Sequence, residues 1–331
     1  MTAPTTVRSD RPAQGPAAPV AATTVVVLVV AAALLQRAFG AHLEIPALQT
    51  WTTVFVSLTV QATPFLLLGV VVSGAMAAFV PPGFVARAMP RHDTAAVGAA
   101  TCAGLLLPGC ECGAVPISGR MVARGAPPAA ALAFMLAAPA INPIVLLSTA
   151  VAFPGQPEVV LARFVASFAT ALVVGLIWLR IGDDQALRRS LRRIQDRGDR
   201  LSTFVATTRH DFLHAGGYLV LGAAIAATAQ VVVPPSVIDT LAGNLLVSVL
   251  VLTALAILLS ICSEADAFIA AGLPQFPLVA RLAFLVVGPV VDVKLVAMQA
   301  GVFGRRFALV FAPLALIVSL SAALVVGWWL L

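Results

Sequence analysis

Long apolar segments separated by short polar stretches occupy most of this 331-residue chain. A helix needs about 20 apolar residues to cross a bilayer. Segments of that order predict helices over residues 20–38, 54–80, 126–153, 158–181, 212–233, 278–303 and 307–331. For two further segments, 94–107 and 241–261, the sequence allows two interpretations: a full span, or a re-entrant hairpin that enters and leaves the membrane on the same side. The pattern predicts an all-α polytopic membrane protein.

The first apolar segment follows a polar tail at residues 1–19. No clean small-residue cleavage site follows it, so we expect a retained extra helix rather than a signal peptide.

The two halves of the chain share landmarks in the same order, which indicates an internal duplication. Gly69 corresponds to Gly222 at an offset of 153 residues, and Cys112 corresponds to Cys262 at an offset of 150. The Leu-Ala-Phe triplets at 132–134 and 282–284 also fit the offset of 150. We therefore expect two repeats, each with broken helices and a re-entrant hairpin.

The arginines indicate how the repeats are oriented. They cluster in the linker 182–209, whereas 154–158 and 264–277 contain no Lys or Arg. Since positive residues favour the cytoplasmic side, the linker is predicted to be cytoplasmic and the two repeats to have inverted topology. The predicted organisation is a disordered tail at 1–19, an extra helix and loop at 20–50, a repeat at 51–181, the basic linker at 182–209 and a repeat at 210–331.

Composition excludes several classes of protein. Hydrophobic residues make up 60% of the chain and charged residues 10%, whereas soluble domains carry about 25% charged residues. The arginines of the linker are explained by the preference of positive residues for the cytoplasmic side of a membrane. A nucleic acid partner is therefore not predicted. The four cysteines lack the spacing of a disulfide framework or a zinc ribbon, so no metal site is assigned and no cofactor is predicted. We expect a bacterial plasma-membrane protein that contacts lipids and is not an enzyme; a homo-oligomer stays open.

One polar motif interrupts the apolar pattern of the first half. It contains Cys110, Glu111, Cys112, Gly113 and Pro116. Proline breaks helices and glycine allows close backbone approach, and a broken helix in a membrane lines a cavity because its freed peptide groups need partners. Cysteine thiolates are soft ligands, although a cysteine in a membrane helix is often only a small hydrophobe. We assign these five residues to a substrate site.

The matching position of the second half carries Cys262, Ser263, Glu264 and Asp266. The two carboxylates allow two interpretations: they belong to a solvated loop, or they bind protons or a cationic solute. A carboxylate removed from water holds its proton more tightly, which allows proton exchange near neutral pH. We assign these four residues to the same substrate site.

A third set of polar residues lies inside long apolar segments. Asn142 belongs to the first repeat, and Asp292 and Lys294 occupy the second. Charges at such depth are rare and usually functional, although a mutually neutralised structural pair is the alternative. We assign Asn142 to the substrate site and Asp292 and Lys294 to proton coupling. Arg163 and Arg281, near the starts of their segments, are expected to extend toward the membrane interface.

The paired motifs resemble a family of predicted bacterial permeases that includes the organoarsenical efflux permeases. CECGAVPISGR from Cys110 and CSEADAFIAAG from Cys262 carry the resemblance, which covers roughly residues 50 to 330. It implies a plasma-membrane permease and, for the characterised branch of the family, export of trivalent organoarsenicals. Glu111 and Glu264 stand where the family usually has small polar residues, and extra carboxylates favour a harder cation.

Three functions remain open. The first is a permease that exports a small thiophilic solute or metalloid, driven by protons. The second is a membrane thiol–disulfide electron carrier that uses Cys112 and Cys262. The third is a structural protein, for which replacing the cysteines or Asp292 would leave function intact.

Overall fold

The computed structural model describes residues 46–81, 83–106, 110–182, 187, 200–232 and 244–331. The predicted tail at 1–19, the predicted first helix at 20–38 and most of the predicted basic linker lie outside the described residues. Within the described ranges every regular element is an α-helix, so the predicted all-α class is confirmed there.

The first half of the chain contributes α1 Pro46–Phe79, α2 Phe84–Ala88, α3 Asp93–Ala103, α4 Glu111–Ala123, α5 Pro128–Ile141, α6 Pro143–Ala152 and α7 Pro157–Ile181. The second half contributes α8 Arg200–Val232, α9 Leu245–Leu259, α10 Asp266–Ala271, α11 Leu278–Val287, α12 Val293–Val302 and α13 Arg305–Leu330. Five helices are long and apolar enough to cross a membrane: α1, the continuous pair α5–α6, α7, α8 and α13.

Several helices begin at residues other than those predicted from the sequence. Helix α1 begins eight residues before the predicted start at 54, and α8 begins twelve residues before the predicted start at 212. Both extensions are rich in polar residues, because a helix can continue past the apolar core into the interface while the apolar pattern stops. The helical start of α8 at Arg200 also shortens the predicted linker 182–209.

The two open segments form short helices. Helix α3 has 11 residues and α9 has 15, both below the roughly 20 residues of a perpendicular span. A methyl group placed on Gly104, just after α3, would lie 2.6 Å from Ala137 Cβ on α5. A methyl group placed on Gly288, just after α11, would lie 4.0 Å from Ala256 Cβ on α9. Each short helix therefore ends beside a break in a long helical segment.

Those breaks lie at equivalent places in the two halves. Helices α5 and α6 meet at Asn142, where Pro143 occupies the first position of α6 and cannot donate a backbone hydrogen bond. Residues 288–292 separate α11 from α12. The second halves of both broken segments thus begin inside the helical bundle, with backbone N–H groups that need partners.

The helices pack into one bundle in which corresponding contacts recur. Helix α1 packs on α8 and α7 on α13, while α3 packs on α5 and α9 on α11. Helix α4 contacts α12 of the other half, and α10 contacts α6. The C-terminal ends of α1, α4 and α7 and the N-terminal ends of α8 and α13 lie at the same end of the bundle. We call this end the basic face. There Gly83 N donates to Arg124 O at 3.1 Å and the Trp178 ring meets Phe307.

Candidate functional site

Three of the four cysteines meet inside the bundle. Cys110 occupies the N-cap position of α4 without a side-chain cap, and its thiol interacts with the thiols of Cys112 and Cys262. All three are buried and unoxidised, whereas Cys102 on α3 is exposed. We call Cys110, Cys112 and Cys262 the thiol cluster. It joins the two motifs that lie 150 residues apart in the chain.

A buried ion pair lies beside the thiol cluster. Lys294 Nζ donates to Glu111 Oε1 at 2.6 Å and to the Ser260 carbonyl at 3.3 Å. The relative exposure of the two charged side chains is 0% and 1%. The second carboxylate oxygen, Glu111 Oε2, has no hydrogen-bond partner among the described residues. The ammonium thus bonds to a carboxylate of the other half, and the alternative of a mutually neutralised Asp292–Lys294 pair does not take the form of a direct bond.

Lys294 is the only lysine in the chain, which otherwise carries its positive charge on arginine. Its backbone is held by α8, since a methyl group placed on Gly222 would lie 2.6 Å from Lys294 Cα. Lysine differs chemically from arginine because its ammonium can lose a proton when buried, whereas a guanidinium stays charged. The single lysine is a further sequence signal for this site, besides its position inside a long apolar segment.

Asn142 and Asp292 perform the same local task at the two breaks. Asn142 Oδ1 accepts a hydrogen bond from Val145 N at 3.0 Å, and Asp292 Oδ1 accepts one from Leu295 N at 2.5 Å. Each side chain therefore caps the half-helix that follows it, which is the usual role of these residue types at helix starts. They differ in charge, and Asp292 Oδ2 is buried with no hydrogen-bond partner in the described part of the chain.

A second buried ion pair joins the halves on the side away from the basic face. Arg163 on α7 donates to both carboxylate oxygens of Asp266, at 2.9 and 3.0 Å. The same guanidinium donates to Thr149 Oγ1 at 2.7 Å and to the Ser263 carbonyl at 3.0 Å. The expectation that Arg163 extends to the interface is wrong. It is fully buried, because α10 brings a carboxylate within reach that the local sequence does not contain.

The remaining predicted site residues lie around this core. Gly113 packs against α1, where a methyl group on Gly69 would lie 2.4 Å from Gly113 Cα. Pro116 is buried inside α4. Glu264 is partly buried and lies within electrostatic range of Glu111 and Lys294. The structure thus gathers the thiol cluster, Glu111 and Lys294, while Ser263 and Asp266 contact Arg163 and Gly113 serves helix packing.

Sequence reasoning missed a third polar network, near the basic face. Arg120 Nη2 donates to the two carboxylate oxygens of Asp211 at 3.2 and 3.1 Å, and Arg120 Nε donates to Ser73 Oγ at 3.3 Å. Ser73 Oγ in turn donates to Asp211 Oδ2 at 2.8 Å. These residues are 47 to 138 positions apart, so only packing of α1, α4 and α8 identifies them as partners.

The described residues include no group of three or more His, Cys, Asp or Glu side chains arranged to hold a metal ion.

Buried thiols and charges at helix breaks, inside a bundle with five helices able to span a bilayer, define a multi-pass membrane transport protein. The chain matches the predicted permease family ArsP_1 over residues 47–328 and belongs to that family. The family that the paired motifs indicated is therefore confirmed. Family membership indicates a transporter that handles small solutes.

Two curated relatives extend over nearly the same length. The UPF0718 protein YcgR of Bacillus subtilis (strain 168) is 38% identical over 281 residues, covering 83% of this chain and 96% of that protein. A Streptococcus mutans protein with the provisional name of two-component membrane permease complex subunit is 32% identical over 294 residues, covering 86% and 97%. No solved structure matches the chain.

Proposed function

We propose that this protein is a secondary transporter that exports a small thiophilic solute of the organoarsenical type. The observation that carries the proposal is the thiol cluster, which lies where α4 and α10 begin, next to a buried ammonium–carboxylate pair. Thiols bind soft centres, and a site in which two repeats of a membrane protein meet at broken helices is a recurring transporter arrangement. Cys110, Cys112 and Cys262 would bind the solute, with Glu111 beside them.

Proton coupling would rest on Asp292 and Lys294. Lys294 is bound to Glu111, so Asp292 has no cation at hydrogen-bonding distance among the described residues. A buried carboxylate that is not bonded to a cation is costly unless it takes a proton. Asp292 would therefore carry a proton in this state, and the Lys294 ammonium could exchange between the two carboxylates during transport.

The other assigned residues would have supporting roles in the same site. Gly113 and Pro116 would shape α4, and Asn142 would hold the start of α6 beside the thiol cluster. Ser263, Glu264 and Asp266 would form the side of the site toward Arg163, with Glu264 available to a solute because its Oε1 has no hydrogen-bond partner among the described residues.

The proposed architecture is a pair of inverted repeats, 51–181 and 210–331, each with a re-entrant hairpin. It is supported by the recurring contacts, α3–α5 with α9–α11 and α4–α12 with α10–α6. It is also supported by the hydrogen bond from Gly83 to Arg124, which joins the residues before α3 to the residues after α4. The linker 182–209 would be cytoplasmic, on the basic face. The name of the Streptococcus mutans relative suggests that a second subunit is as plausible a partner as a second copy of this chain.

A thiol–disulfide electron carrier is the second candidate, because Cys110 contacts both Cys112 and Cys262. Two of these thiols would form a disulfide and pass two electrons and two protons to an oxidised partner disulfide, and a dithiol on the other side would reduce them again. Disulfide formation needs Cα atoms about 5.5 Å apart. This candidate predicts that Cys112 and Cys262 crosslink reversibly under mild oxidant. The crosslink should form both in the wild type and in the Cys110→Ser variant.

The deciding experiment is a resistance and uptake panel in a sensitive bacterial host. It compares the wild type with Cys112→Ser, Cys262→Ser and Asp292→Asn, against trivalent methylarsenite, phenylarsenite, inorganic arsenite and divalent transition metals. Cys102→Ser is the matched control, because Cys102 is exposed on α3 outside the cluster.

We expect lower accumulation of one soft species in wild type and Cys102→Ser cells, and loss of that effect in the other three variants. A flat panel with normal membrane expression contradicts export of these species. Lower accumulation that survives Cys112→Ser and Cys262→Ser contradicts the thiol cluster as the binding site.

A further inference from the structure

Two buried arginine–aspartate pairs lie on opposite sides of the thiol cluster. The Arg120–Asp211 pair joins α4 of the first half to α8 of the second, and the Arg163–Asp266 pair joins α7 of the first half to α10 of the second. Both therefore tie one half of the chain to the other. The second pair lies beside the cluster, because Asp266 N donates to the Cys262 carbonyl at 3.1 Å. Arg120, Asp211 and Arg163 have no role in the transport mechanism proposed above.

Their depths are similar when measured from the two ends of the bundle. Ser73, which bonds to Arg120 and Asp211, lies six residues before the end of α1 on the basic face. Arg163 lies six residues after the start of α7 at the opposite end. At 1.5 Å per residue, six helical residues correspond to about 9 Å. Glu111 begins α4 nine residues before Arg120, which places the thiol cluster roughly 14 Å deeper than the Arg120 pair along that helix.

Each pair is also anchored by a hydroxyl group and closed to solvent. Ser73 bonds to both members of the first pair, and Thr149 accepts from Arg163 in the second. The side chains of the second pair are 0% and 4% exposed, and those of the first are 4% and 12% exposed. The thiols between them are sealed as well, with Cys110, Cys112 and Cys262 all at 1% exposure or below.

We propose that the Arg120–Asp211 and Arg163–Asp266 pairs are the two gates of the permeation pathway, and that this structure is the state in which both are closed. The proposal rests on the transport function proposed above. Buried ion pairs suit this task, because the cost of removing both charges from water nearly offsets their attraction. A closed gate can then open without a large change in free energy once water or solute reaches the charges.

Each gate separates a different set of helices. Breaking Arg120–Asp211 frees α4 from α8 on the basic face and leaves α7 joined to α10. Breaking Arg163–Asp266 frees α10 from α7 at the opposite end and leaves α4 joined to α8. Opening the two in turn exposes the thiol cluster first to one side of the membrane and then to the other.

The buried thiols provide the test, and no substrate is needed. In a Cys102→Ala background, right-side-out and inside-out membrane vesicles are treated with a charged, membrane-impermeant methanethiosulfonate reagent. Mass spectrometry then quantifies modification of Cys112 and Cys262. The gate variants are Asp211→Asn and Asp266→Asn, and Arg281→Gln is the matched control because Arg281 is partly exposed and stacks on Phe153.

We expect Asp211→Asn to raise thiol modification at least tenfold from the basic face alone, and Asp266→Asn to raise it at least tenfold from the opposite face alone. Arg281→Gln should match the parent. The proposal is overturned if both gate variants leave the thiols as protected as in the parent, or if each exposes them equally from both faces while the protein retains the parent's melting temperature.

A variant that loosens the whole bundle will be modified from both faces and will melt early. The exchanged pair Arg120→Asp with Asp211→Arg then decides the matter. Restored protection on the basic face supports a gate formed by the pair, and continued modification from both faces overturns it. Labelling needs no solute, so the two proposals can fail separately. A resistance panel without any effect, together with side-specific labelling, would reject the arsenical assignment and support the gates. An effect in the panel without side-specific labelling would reject only the gates.

Discussion

The Lys294–Glu111 pair allows the sharpest energetic prediction. Lys294→Met removes the ammonium and leaves the Glu111 carboxylate buried without a cation. Loss of one member of a buried ion pair costs about 3–5 kcal/mol, and loss of the hydrogen bond to the Ser260 carbonyl adds about 1 kcal/mol. The free energy of unfolding should therefore fall by about 4–6 kcal/mol. In the double variant Glu111→Gln/Lys294→Met no charge is left unpaired, so the loss should shrink to about 1–2 kcal/mol.

Unfolding of the purified protein by SDS in mixed micelles, followed by tryptophan fluorescence, measures both numbers. The single variant Glu111→Gln completes the double-mutant cycle, which isolates the pair from the effects of each substitution alone. A matched control is Arg281→Gln, which removes a partly exposed cation. If the loss in the double variant equals the sum of the losses in Lys294→Met and Glu111→Gln, the pair contributes no coupling, and the reasoning from its buried geometry is refuted.

Three further outcomes follow from the same site. Asp292→Asn should preserve stability, because asparagine caps α6 equally well at Asn142, but it should stop proton-driven transport; Asp292→Ala should lose about 1 kcal/mol of unfolding free energy with the cap. Gly222→Ala should destabilise by about 1–3 kcal/mol through overpacking against Lys294, less a helix-propensity gain of up to about 1 kcal/mol, and unchanged stability would contradict the close contact. Lys294→Arg should keep the charge but cannot release a proton, so proton-driven uptake in vesicles should stop; retained uptake would exclude Lys294 as a proton carrier.

The apolar pattern by itself determined the class of protein and most of its helices. Runs of apolar residues near membrane thickness can only be satisfied as helices in a bilayer, since each backbone group must be bonded internally. The repeats were also expected to contain broken helices, but the sequence did not identify Asn142 and Asp292 as the residues that cap their second halves. The Cys-containing motifs were visible because polar residues stand out in an apolar chain.

Only the tertiary structure decided which polar groups meet. Glu111 and Lys294 are 183 residues apart, and Arg163 and Asp266 are 103 residues apart. A side chain reaches only a few ångströms, so such pairs exist only after helices from both halves pack together. The sequence placed Arg163 at the membrane interface because, without a partner, that is the cheapest location for its charge. Packing of α10 against α6, which also contacts α7, supplied the partner and reversed that preference.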